Sequence, residues 1–291
     1  MPLVLDPPPK DYAILIPTYN RVDTFAKKTY AKLLTRYGLC DKTYLCLQTD
    51  ADEASYTQAF PDVHVVRTLK GLLATVNELA TQLPPNLRVV VMHDDITRFL
   101  RIEPPASTRI TVDDLDAVFR ETFETMATHG CHLGGFYPTD NPMNMVRQPA
   151  VSTDLRFIHD PITLMRVQPI VLSPHFSDKM DFERTILYYQ QDGGVVRMNH
   201  YTFCTQYNPK SATGGYGHRT ADAEAAVTQR FVKAYAPYIQ RVIVHKSGST
   251  SLVLKKDACA TGGETVTKAA STRKRRRSGA AMKGGVTRRR R

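Results

Sequence analysis

The chain has 291 residues, enough for one large domain or two small ones with an ample core. No apolar run approaches the length of a bilayer span, the opening MPLVLDPPPKDY lacks the basic start of a signal peptide, and five scattered cysteines show no CxxC spacing. Membrane insertion, secretion, a disulfide framework and a structural zinc site are therefore not expected, while the formal net charge of +11 calls for an acidic partner somewhere.

In chain order, Pro7-Pro8-Pro9 is a stiff lead-in to a buried strand, Tyr12 to Ile16, stopped by Pro17. After Thr18-Tyr19-Asn20-Arg21 a helical pattern turns Phe25, Tyr30, Leu33, Leu34 and Tyr37 inward and stops at Gly38. Lys42 to Leu47 reads as a strand, Asp52 to Phe60 as a short helix, Val63 to Arg67 as a third strand and Gly71 to Leu83 as a helix. A fourth strand, Leu87 to Met92, runs straight into His93-Asp94-Asp95. Strand, helix, strand, helix at this spacing predicts an α/β sheet of right-handed crossovers, with its chemistry at the carboxyl ends of the strands.

No GxGxxG follows the first strand and no GxxxxGK[ST] occurs, so neither the dinucleotide fingerprint nor a P-loop is present. The first crevice offers instead Thr18, Tyr19 and Arg21: a hydroxyl, a flat ring and a fork suited to a base and a phosphate. Two adjacent carboxylates at a buried strand end are costly unless something positive holds them, and a hard divalent cation is a common answer.

Further along, Thr111-Val112-Asp113-Asp114 predicts a capped helix running to Gly130. Short strand-like runs come next at His132 to Phe136, Ile162 to Leu172, Val195 to Arg197 and Tyr201 to Gln206, broken by Pro, Asn and Gly. A late helix, Ala221 to Tyr235, should turn Ala225, Ala226, Phe231 and Val232 inward, and Val242 to Val244 with Leu252 to Leu254 should close the body. From Asp257 onward there are 11 Lys/Arg and 2 acids, which leaves Met1 to Lys256 with 28 basic and 26 acidic residues. The charge thus belongs to a tail with RKRRR at 273–277 and RRRR at 288–291, without apolar periodicity and expected to be disordered. Such clusters read as nuclear import signals or nucleic-acid-binding arms, which predicts a nuclear location and an import receptor as partner.

Three segments together resemble a family. They are Ile14-Leu15-Ile16-Pro17-Thr18-Tyr19-Asn20-Arg21, then Met92-His93-Asp94-Asp95-Ile96, then Lys179-Met180-Asp181-Phe182-Glu183-Arg184-Thr185 through Gln191-Asp192-Gly193-Gly194-Val195-Val196-Arg197-Met198-Asn199. The first and second resemble glycosyltransferases of the GT-A fold. The third, with Gly214-Gly215-Tyr216-Gly217-His218-Arg219 after it, is similar to the branch that glucosylates oxidised pyrimidines in DNA, including the base J glucosyltransferase that acts on 5-hydroxymethyluracil. The resemblance spans about Asp11 to Tyr238. It implies a single mixed, mostly parallel sheet flanked by helices over 1–256, divided into a nucleotide-sugar half (11–99) and an acceptor half (100–256), with the tail at 257–291.

The same resemblance implies UDP-glucose as donor, Mn²⁺ or Mg²⁺ as cofactor and hydroxymethyluracil-containing DNA as acceptor. Pro17, Thr18, Tyr19 and Arg21 would hold the nucleotide, and Lys70 with Arg21 would add positive charge at the diphosphate. Asp95 would grip the metal, with Asp94 in support. Relatives often read DDD where this chain has His93-Asp94-Asp95, so His93 either coordinates the metal, faces the sugar or bonds to a backbone group. His200 and His218 are further candidates to reach the metal or diphosphate. An inverting transfer needs one carboxylate base: Asp181 is the first candidate, Glu183 the second and Asp192 the third. Tyr137, Tyr188, Tyr189 and Tyr201 are candidates to stack on a base. Two alternatives stay open: a GT-A transferase acting on protein or glycan, and a non-catalytic nucleic-acid-binding protein on the same fold.

Overall fold

The computed structural model describes residues 3–205, 221–245 and 250–259. Among these residues twelve strands occur in chain order: β1 (Ala13–Pro17), β2 (Thr43–Leu47), β3 (His64–Arg67), β4 (Arg88–Met92), β5 (Ile96–Ile102), β6 (Arg109–Thr111), β7 (Leu133–Tyr137), β8 (Val151–Ser152), β9 (Ile162–Arg166), β10 (Val196–Thr205), β11 (Ile239–Val244) and β12 (Thr250–Leu254). The first ten form one sheet in the order β3-β2-β1-β4-β9-β7-β10-β5-β6, with β8 against β10. β1 to β4 are mutually parallel, β9 enters antiparallel between β4 and β7, and β5 runs antiparallel to β10. The mixed sheet flanked by helices is the expected one, with most strands pointing the same way.

The parallel strands are buried on both faces, as their unbroken apolar runs predict: Ala13 to Ile16, Thr43 to Leu47 and Val89 to Met92 are all buried. One core lies between the sheet and the helices over Val22–Tyr37 and Leu115–Thr128, around Phe25, Phe99, Phe119 and Phe136. A second core lies on the other face, around Leu79, Phe182, Ile186 and Phe231. β3, β2 and β1 step outward to one side, and the chain then crosses to place β4 on the other side of β1. That reversal opens a crevice at the carboxyl ends of β1 and β4, the place where open α/β sheets bind ligands.

At four places the structure adds to the sequence reading or departs from it. β5 follows the two aspartates directly, in a stretch to which the sequence reading assigns no element, because Thr97, Arg98 and Arg101 interrupt its apolar pattern. The two runs Val195 to Arg197 and Tyr201 to Gln206 are one strand, β10, carried through Asn199 and His200 by a register shift. The late helix buries Thr228 and Phe231 and leaves Ala226 exposed. The two runs expected to close the body, β11 and β12, pair with each other in a separate two-stranded sheet.

That hairpin and the Ala221–Ala234 helix clasp the Met180–Asp192 helix. Lys179, buried, places Nζ 3.0 Å from Glu224 Oε1 and donates to the Thr250 carbonyl at 2.9 Å. The Tyr189 hydroxyl donates to the carbonyl of Ala258, so packing continues past residue 256. Tyr188 and Tyr189 are core residues, closed to stacking on a base. All five cysteines are free thiols, and among the described residues no helix is long and apolar enough to cross a membrane.

Candidate functional site

The crevice is built by the turn after β1 and the turn after β4. Asn20 adopts a left-handed φ of 51°, which aims two successive amides at one helix. The Asn20 N–H donates to Asp52 Oδ1 at 2.9 Å, and the Arg21 N–H to the Tyr56 hydroxyl at 3.2 Å. Asp52 is itself held, accepting from the Thr49 hydroxyl at 2.7 Å while its N–H donates back to Thr49 Oγ1 at 3.1 Å, a reciprocal cap of the Asp50–Ala59 helix. Burial pushes the Tyr56 phenol up to about 12, so it stays protonated beside Thr18 Oγ1, 2.7 Å away.

This anchoring presents Arg21 to both aspartates. Its Nη1 lies 2.7 Å from Asp94 Oδ1 and its Nη2 lies 3.3 Å from Asp95 Oδ2. Thr18 donates to Asp94 Oδ2 at 2.8 Å, so both oxygens of Asp94 are committed. Burial raises the Asp94 carboxyl, against the pull of Arg21 and Thr18. Asp95 differs. Its Oδ1 is buried and has no partner. Tyr19 stands 41% exposed on the same turn, a ring face open to a ligand. Pro17 ends β1 beside it, and Lys70 is exposed at the carboxyl end of β3, two strands away.

A second cluster abuts the first, because β9 begins where β4 ends. Met92 pairs with Ile162, and the His93 N–H donates to the Pro161 carbonyl at 2.9 Å. Asp160 is thereby set between two basic side chains: His93 Nε2 is 3.3 Å from Oδ2, and Arg184 bonds Oδ1. Burial alone would raise the Asp160 carboxyl, but Arg184 and His93 hold it well below the usual carboxylate range. Burial lowers the His93 imidazolium, and Asp160 with Asp95 and Asp94 more than reverses this, so it ends above its ordinary value. Arg184, fully buried, also reaches Thr163 Oγ1 at 3.1 Å and keeps Nε and Nη1 without partners.

Asp181 lies partly exposed on the first turn of the Met180–Asp192 helix, where, among the described residues, only the Phe182 N–H, at 2.9 Å, donates to Oδ1. Burial and the charge of Asp160 push its carboxyl up to about 7, against Arg184. The other two candidate bases are structural ties. Glu183 accepts from the Ser173 N–H at 2.9 Å and the Tyr235 hydroxyl at 2.8 Å. Asp192 sits about 16 Å along the helix from Asp181 and grips His132 through its N–H at 2.7 Å and Nδ1 at 2.9 Å. Asp181 alone keeps a carboxylate oxygen outside such ties.

The histidines separate as well. His93 commits Nε2 to Asp160, which makes it part of a side-chain relay and removes that nitrogen from any metal. His200 lies opposite the far end of β5, roughly 20 Å along the strand from Asp95, with Nε2 3.1 Å from the Gln148 carbonyl oxygen. His218, with Gly214, Gly215 and Gly217, lies outside the described residues.

Among the described residues no group of three or more His, Cys, Asp or Glu side chains is arranged to hold a metal alone. The donor set still fits a divalent cation bound in the manner of Mg²⁺, through one or two carboxylates completed by substrate phosphates and water. Asp95 Oδ1 is the oxygen available for it. Asp160 and Arg184 were not picked out by sequence, although Asp160 immediately precedes an apolar run. In an antiparallel strand the site-facing acid comes before the strand and not after it.

No family model matches the chain, and no curated protein does. Among solved structures, it is similar to glucosyl-3-phosphoglycerate synthase from Mycobacterium tuberculosis in complex with Mn²⁺, UDP and glucosyl-3-phosphoglycerate, at 10% identity and a TM-score of 0.45 over 84% of this chain and 87% of that one. It is also similar to CMP:2-keto-3-deoxy-manno-octonic acid synthetase complexed with CTP, at 12% identity and a TM-score of 0.39 over 77% of this chain and 100% of the other. Likenesses at these scores assign neither family nor activity to this chain.

Proposed function

We propose that this chain is a metal-dependent GT-A glucosyltransferase that moves glucose from UDP-glucose to the hydroxymethyl group of 5-hydroxymethyluracil in DNA. The observation that carries the transferase reading is the Asp94–Arg21–Asp95 arrangement at the sheet's switch point, with one buried carboxylate oxygen left open. The acceptor and the sugar rest on the sequence resemblance of the QDGGVVR block and on the basic tail.

In this reading Tyr19, with Thr18 and Pro17 beside it, receives the nucleoside. A divalent cation, when bound at Asp95, supplies Lewis-acid neutralisation of the departing diphosphate. Arg21 and Lys70 add positive charge on the same side. The acceptor oxygen forms a bond to the anomeric carbon as the bond from that carbon to the diphosphate oxygen breaks, and the hydroxyl proton passes to Asp181. A base that titrates near 7 is matched to that task. Asp160 keeps Asp181 from ionising too early and ties the acceptor side to His93. The tail would add sequence-independent phosphate contacts and direct the chain to the nucleus.

The test is transfer of radiolabelled glucose from UDP-glucose, with Mn²⁺, onto duplexes containing hydroxymethyluracil, hydroxymethylcytosine or thymine. Label on the hydroxymethyluracil duplex alone, lost with EDTA, is the expected result. Hydrolysis of UDP-glucose with no duplex labelled would move the acceptor to protein or glycan. Failure with every sugar donor, alongside tight DNA binding, would make the chain a binding protein.

A further inference from the structure

We propose that Thr29 is a positioning residue that holds the Asp94–Asp95 turn in its ligand-binding shape, an inference that rests on the transferase reading of that turn. Thr29 lies 64 residues away in sequence, on the helix that follows β1, and its side chain is fully buried. Its hydroxyl donates to the His93 carbonyl at 2.9 Å and accepts from the Ile96 N–H, also at 2.9 Å. His93 and Ile96 are the first and fourth residues of the turn that carries both aspartates, the two positions whose separation defines a β-turn. One hydroxyl therefore clasps both ends of the turn, as donor at one and acceptor at the other.

The geometry is specific to a small side chain with a single hydroxyl. Valine matches threonine in shape and supplies neither bond, while serine supplies both and lacks only the methyl group. The helix is built to deliver the hydroxyl. Ala26–Leu34 is wound as a π-helix, a rare form frequent at functional sites; its buried residues are Thr29, Leu33 and Leu34, and Phe25 is buried in the turn before it. Phe25, Leu33 and Leu34 belong to the main core, so the spacing that buries them also fixes Thr29 beneath the turn. The fixed turn in turn sets the direction of Asp95 Oδ1, the oxygen with no partner.

Thr29→Val and Thr29→Ser test this by hydrogen exchange and by calorimetric titration of UDP with and without Mn²⁺. The expected result in Thr29→Val is exchange of the Ile96 amide faster by on the order of tenfold, the size expected for one lost buried hydrogen bond. The Mn²⁺-dependent gain in UDP affinity should fall by a similar factor, with metal-free affinity unchanged and Thr29→Ser restoring both. Unchanged Ile96 exchange in Thr29→Val, or a Thr29→Ser variant that behaves like Thr29→Val, would overturn the proposal. A wild-type chain that binds no UDP under either condition would sink the transferase reading instead, and the exchange result would still decide whether Thr29 clasps the turn.

Discussion

The Asp94–Asp95 turn and the two ends of the Met180–Asp192 helix hold acids of opposite kinds. Glu183 and Asp192 have each carboxylate oxygen matched to a donor, Ser173 and Tyr235 for one and His132 twice for the other. Asp94 is likewise satisfied, but Asp95 retains an open, buried oxygen, and Asp181 is close to satisfied at only one of its two. A carboxylate whose lone pairs are all bonded holds a fold together. One that is desolvated and left with an unbonded lone pair is costly to the fold and is suited to receive a cation or a proton. Sequence proximity does not sort these roles, since Asp181 and Glu183 are two residues apart and fall on opposite sides of the distinction.

Substitutions should break this comparison along the same line. The largest effect expected is at Asp181→Asn, with the transfer rate down by roughly 10²–10⁴ for loss of a general base and thermal stability kept. In the wild-type chain, the rate should rise with pH through about 7 as Asp181 loses its proton, and this limb should vanish in the variant. The sign for stability is opposite. A carboxyl raised in the folded state favours folding below its unfolded pKa, and this contribution is lost as pH rises through about 7, so Asp181→Asn should flatten that decline in urea titrations at pH 4 to 8.

Asp95→Ala should come second, with transfer reduced by on the order of 10²–10³ and the Mn²⁺ requirement abolished, while unfolding midpoints stay near wild type. A wild-type rate in this variant would show that the open oxygen is idle. Glu183→Ala should do the reverse. Leaving the Tyr235 hydroxyl and the Ser173 amide unpaired should cost about 1–3 kcal/mol in urea unfolding, and the protein that remains folded should transfer at the wild-type rate. Asp192→Ala should behave the same way, since it leaves the His132 N–H and ring nitrogen without their carboxylate. Removing residues 260–291 should have the least effect on turnover and should flatten the salt dependence of DNA affinity.

The chain's strand–helix alternation, and with it the crevice after the first and fourth strands, was legible in the sequence. Buried parallel strands are continuous apolar runs, and the residues ending them, Thr18 to Arg21 and Asp94 to Asp95, are set by covalent order alone. The family resemblance added candidate roles without placing any side chain. Only the tertiary structure decided which acids are free. Asp160 reaches His93 because β9 pairs antiparallel with β4, Thr29 reaches the aspartate turn across 64 residues, and Tyr235 closes Glu183 across 52. Periodicity reports which face of an element is buried. It carries no record of which distant donor fills a given lone pair, and at this site the filling of those lone pairs divides fully bonded acids from those with an oxygen left open.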